Sequence, residues 1–93
     1  MPCHIRRDDG EKFSNFADIA VEEWRLTEQV DALEQWLSGN RHRLDSGNKW
    51  VADIGFSVRP GARGGGPVIR KQLMEMCLEV NLEIIFSDYP GDA

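Results

Sequence analysis

From Lys49 onwards the apolar residues fall at every second position. Trp50, Ala52, Ile54, Phe56 and Val58 take one side, and Val51, Asp53, Gly55 and Ser57 the other. Strict alternation predicts a half-buried strand whose second face meets water. Past the glycine-rich segment Gly61–Gly66 the period changes. Ile69, Leu73, Met76, Cys77 and Val80 recur at three- and four-residue steps, with Arg70, Lys71, Glu75 and Glu79 outside the stripe, which predicts a helix opening at Pro67. Asn81 can take the left-handed conformation that ends a helix. Alternation then returns in Leu82, Ile84 and Phe86 against Glu83, Ile85 and Ser87, a last strand stopped by Pro90-Gly91. The stretch from Lys49 to Tyr89 thus reads as strand, glycine loop, helix, strand.

Upstream, Val30, Leu33, Trp36 and Leu37 form the apolar face of a second helix over 27–38. Thr27 is its expected N-cap, Glu28 and Asp31 place negative charge near the positive end of the dipole, and Gly39-Asn40 supplies the stop. A short turn over Arg41–Leu44 should pack Leu44 back onto the core, before the loop Asp45–Asn48. Residues 13–26 support two readings. Phe13, Phe16, Ala17, Ala20, Val21 and Trp24 make a helical stripe, yet FADIAVEEWRL also fits a strand running into the helix cap. Residues 1–15 carry little pattern: CHIRR reads as a short edge strand and RRDDGEK as a turn around Gly10.

These elements predict one α+β domain over residues 1–93, with a three- or four-stranded mixed sheet, two helices packed on one face, the order β-α-β-α-β and a frayed tail at 90–93. At 41% hydrophobic and 29% charged the composition is that of a globular chain. No apolar run approaches the roughly 20 residues of a spanning helix, and MPCHIRRDDGEK lacks the apolar region of a secretory leader, so a cytoplasmic location is expected. In a reducing compartment the two cysteines, Cys3 in the terminus and Cys77 on a helix face, stay unpaired.

The net charge of −5 argues against direct nucleic-acid binding, whose affinity comes mostly from neutralised phosphates. Acid concentrates through the first half in Asp18, Glu22, Glu28, Asp31 and Glu34, a candidate face for docking a basic protein. Residues 59–71 hold Arg59, Arg63, Arg70 and Lys71 and no acid. There Arg59, Arg63, Gly64, Gly65, Gly66 and Arg70 make a candidate anion site, since glycines before a helix start let a phosphate or carboxylate reach free N–H groups. The segment matches neither phosphate-loop nor dinucleotide spacing. His4 and His42 stand in no metal spacing, and no nucleophile–base pairing is recognisable. We therefore expect no catalytic residues, no metal and no cofactor.

Trp24-x-Leu26, the helix TEQVDALEQWL, the strand WVADIGFSV, the loop GGGP, the helix with Leu73 and Met76, and a final strand ending in Tyr89 occur in that order. Over residues 17–90 this resembles the bacterial domain-of-unknown-function family four-two-seven-nine. The resemblance implies an α/β sandwich with a strand through Trp24; it implies no activity. Size, acidity and the absent catalytic constellation lead us to expect a non-enzymatic protein-binding domain, in the form of an immunity protein or phage-type inhibitor of a nuclease or defence complex. Alternatives are a small-anion or nucleotide-binding module using the loop 59–67, and a homodimeric structural protein sharing a sheet edge.

Overall fold

A computed structural model describes residues 3–8, 10–19, 22–57, 61 and 64–89. The order is β1 (Cys3–Asp8), β2 (Phe13–Ile19), α1 (Leu26–Asn40), a 3-10 turn over Arg41–Arg43, β3 (Lys49–Ser57), α2 (Lys71–Val80) and β4 (Leu82–Tyr89). The sheet runs β2-β1-β3-β4, with β1 antiparallel to both neighbours and β3 parallel to β4. This is the expected α+β class with a mixed four-stranded sheet. Its order gains one strand at the start.

That extra strand is CHIRR, and it lies inside the sheet, not at its edge. Cys3 and Ile5 alternate onto the helix-facing side, opposite Ile54 and Ala52 of β3, and both are buried. Cys3 is therefore core and not part of a loose terminus. Gly10, at φ 92°, makes the hairpin turn to β2, and its N–H donates to Asp8 Oδ1 (2.9 Å). Residues 13–19 are strand, so the helical reading of 13–26 fails. A bulge explains the misleading period. Ile5 pairs with Ala17 and Arg6 with Asn15, which leaves Phe16 as the extra residue. Phe16 meets Trp50 edge to face (5.0 Å between centroids).

Helix α1 starts one residue before the expected cap. Arg25 is the N-cap with extended backbone, no side chain caps the first turn, and Gln29 N–H donates to the Arg25 carbonyl (3.1 Å). Thr27 lies inside the helix. Trp24, which the family resemblance places in a strand, belongs to the connection between β2 and α1. Helix α2, by contrast, begins later than expected, at Lys71, with Arg70 as an extended N-cap. The β-branched pair Val68-Ile69 after Pro67 favours extended backbone over a helical turn. Asn81 ends α2 at φ 60°, ψ 48°, as its sequence position predicts.

One hydrophobic cluster fills the space between the sheet and both helices. Ile5, Ala52 and Ile54 meet Leu33 and Leu37 of α1 and Leu73 of α2, all fully buried, and Leu44 closes one end. Phe56 and Ile84 are only partly buried, since Phe56 lies past the last described β1 pairing and Ile84 is on the edge strand. The outer face of β3 is less wet than alternation predicts. Val51 is 3% exposed, since β3 is an inner strand and Arg6 and Glu83 flank Val51 in register. Val58 and the tail at 90–93 lie outside the described residues.

Candidate interaction surface

One cation of the anion site read from the sequence pairs with two acids of the acidic face. Arg70, assigned to the anion site, extends its Nη1 to Asp31 Oδ1 (3.1 Å) and Glu34 Oε1 (3.3 Å), both assigned to the acidic face. Glu28 stands 3.6 Å from Arg25 Nε, and Glu23 takes three bonds from Arg25, two from its guanidinium and one from its backbone N–H. Those bonds hold the Glu23 carboxylate down at about 2. Asp18 is on the sheet, with Oδ1 2.5 Å from His4 Nδ1. Its register beside His4 and Asp53 places it on the face opposite the helices, away from α1. Glu22 is exposed in the connection after β2. The five acids thus do not share one face.

Arg59 and Arg63 lie outside the described residues. Gly64, Gly65 and Gly66 all have positive φ (112°, 75° and 135°), a run that only glycines adopt readily. They wall a cavity of about 430 Å³ with the first turn of α1 and with Phe56 and Ser57 at the end of β3. Among the described residues Arg25 is the cation on that wall, and Arg70 is not part of it.

Two features were missed by the sequence reading. The first is a polar row on the uncovered sheet face, where Arg6 and Ser87 both reach Asp53 (3.5 and 2.5 Å) beside the His4–Asp18 pair. Period-2 spacing places these residues on one face, but only strand order brings them together.

The second is the β4 edge. Strand β4 ends the sheet, and Ile85 (45%), Phe86 (48%) and Tyr89 (41%) are exposed along it. Trp24 packs edge to face on Tyr89 (5.5 Å), and Phe86 on Phe56 (6.4 Å), so aromatic surface gathers at the far end of the β3–β4 pair. The opposite edge, β2, is interrupted by its bulge and carries polar Asn15 and Asp18. Strand β4 carries the acids Glu83 and Asp88, but among the described residues nothing interrupts or covers it. Its eight residues pair with β3 in unbroken register and include no lysine, proline or bulge.

Burial raises the Cys3 thiol to about 12 and the Cys77 thiol to about 11, which removes both from thiolate chemistry at neutral pH. Among the described residues no cluster of three or more His, Cys, Asp or Glu side chains could hold a metal, and no helix is long and apolar enough to cross a membrane. No protein-family model, curated protein or solved structure matches the chain.

Proposed function

We propose that this chain is a small protein-binding domain whose interaction surface is the open edge of β4. One observation carries the reading. A sheet edge of eight residues, with no bulge, proline or lysine in it, keeps large apolar side chains half exposed. An added strand gains affinity from main-chain hydrogen bonds and selectivity from alternate side chains. An immunity or phage-type inhibitor role in the cytoplasm is the form of binding that the chain's size and net charge of −5 favour. We also propose kinship with the bacterial domain-of-unknown-function family four-two-seven-nine, on the order of its motifs.

The test is a pull-down from the producing host with wild type and Phe86→Pro in parallel. A stoichiometric partner captured by the wild type and lost with the variant is the expected result. A partner retained by Phe86→Pro contradicts the use of this edge.

The cavity beside Gly64–Gly66 favours a second reading, a small-anion or nucleotide site at the carboxyl end of a parallel strand. Thermal shift against phosphate and nucleotides tests it. A shift abolished by Arg63→Ala carries that reading, and no shift at millimolar ligand removes it.

A further inference from the structure

The β4 edge has a definite hydrogen-bonding pattern. Trp50 N–H donates to the Asn81 carbonyl (3.0 Å), and the parallel register advances in step from Trp50–Leu82 to Ser57–Tyr89. Odd-numbered β4 residues therefore turn their backbone groups to β3. Leu82, Ile84, Phe86 and Asp88 turn theirs to the open edge.

Side chains continue this edge upwards onto α2. Glu79 and Met76 face α1, where Arg41 reaches Glu79 (3.0 Å) and Ser38 reaches Met76 Sδ (3.9 Å). At helical spacing Met74 and Leu78 lie on the opposite flank, the one towards β4, and they are 50% and 83% exposed. Apolar surface thus runs from Phe86 to the outward flank of α2, while Ile85, in register with Asp53, adds apolar surface on the uncovered face of the same edge.

We propose that the occupant of this edge is a second copy of the chain, paired antiparallel through β4 with Ile85 facing its own counterpart across a two-fold axis. The proposal rests on the reading of β4 as a protein-binding edge. A two-fold axis perpendicular to the sheet opposes residues that share a face, so opposed residues have the same parity. One register engages all four outward-turned residues within β4. Leu82 opposes Asp88 and Ile84 opposes Phe86 as hydrogen-bonded pairs, while Glu83 opposes Ser87 and Ile85 opposes itself between them. Sliding the partner by two residues leaves Leu82 or Asp88 without a counterpart inside the strand. In the favoured register neither acid of β4 faces another acid, and the half-exposed Ile85 and Phe86 are covered. Both copies keep their helices on the same side, so the two α2 flanks bearing Met74 and Leu78 face each other.

Light scattering and directed cross-linking test the register. Wild type should show twice the 10.6 kDa chain mass, and Phe86→Pro should return to the single-chain mass with an unchanged circular dichroism spectrum. The proline removes an outward N–H and no bond to β3. If Phe86→Pro fails to fold, Ile85→Lys sets two like charges on the axis and tests the same point through an exposed side chain. In a non-hydrogen-bonded antiparallel pair the Cα atoms lie about 4.5 Å apart, within disulfide range. Ile85→Cys should therefore form a covalent dimer under mild oxidation, whereas Glu83→Cys, opposite Ser87, should not; the native thiols are buried. A wild type of single-chain mass at millimolar concentration, together with an Ile85→Cys variant that stays monomeric, overturns the self-pairing. If a host protein is then still captured by wild type and lost with Phe86→Pro, the protein-binding edge stands without the dimer. If none is captured, both readings fall.

Discussion

The side-chain amide of Gln29 donates one hydrogen to the carbonyl of Gly55 and the other to the carbonyl of Glu23 (2.7 Å). The last described β1–β3 pairing is Cys3 with Ile54, and beyond it β3 needs another neighbour. Gln29 answers Gly55, and the Trp24 carbonyl accepts from Ser57 N–H (3.1 Å), so the connection into α1 and its first turn act as a surrogate strand. Gln29 is fully buried, and among the described residues its Oε1 has no partner. Gln29→Leu leaves two carbonyls unanswered and should cost about 1–3 kcal/mol in urea unfolding. Gln29→Glu should be worse at neutral pH, where a carboxylate faces carbonyl oxygens, and should recover as acid protonates it.

Arg70 ties α2 to α1 through Asp31 and Glu34, with Arg70 and Asp31 about half exposed and Glu34 mostly covered. Exposed pairs contribute little and are screened. Arg70→Ala should lower the melting temperature slightly in low salt and not at all in high salt. If the chain docks a basic partner through its acids, the same variant should tighten that complex, because it frees Asp31 and Glu34.

Asn81 holds the only non-glycine positive φ among the described residues, and its side chain donates to the Asn48 carbonyl (3.1 Å). Asn81→Gly should be close to neutral, losing that bond while relaxing the backbone. Asn81→Val should cost about 1–2 kcal/mol, because a β-branched side chain is crowded in the left-handed region. Thermal or urea unfolding of both variants checks the contrast.

Stability should fall at both extremes of pH. Glu23 is held down from 4.5 to about 2 by Arg25, so its contribution is present above 4.5 and is lost as pH drops towards 2. Glu23→Gln should blunt that acid limb. Cys3 and Cys77 are raised from 9.0, so their contribution is full below 9.0 and is lost as pH rises towards 11 and 12. Cys3→Ser should change the alkaline limb, and native-state titration with a thiol reagent at pH 8 should be slow for both cysteines.

Where one short-range pattern dominates, the fold was legible. Lys49–Ser57, Leu82–Tyr89, the stripe Leu73–Val80 and the cap at Asn81 all follow from local periodicity. Residues 13–19 were ambiguous because the bulge at Phe16 breaks the period-2 pattern and leaves a helical one in its place. The site was less legible still. The charges of Arg70, Asp31 and Glu34 could be read singly, but their mutual cancellation depends on how α1 and α2 pack, a relation between residues 36 and 39 apart. The open edge had no local signal either. Leu82–Tyr89 looks like any strand until the order β2-β1-β3-β4 leaves one side of it bare.

Amide hydrogen exchange along β4, followed by NMR as protein concentration rises from micromolar to millimolar, tests the interaction edge most directly. The account predicts that Glu83, Ile85 and Ser87, bonded to β3, are protected throughout, whereas Ile84, Phe86 and Asp88 exchange quickly when dilute and slow markedly as the edge is covered. Even-numbered amides that exchange freely at every concentration, and also with a captured host protein added, would contradict it.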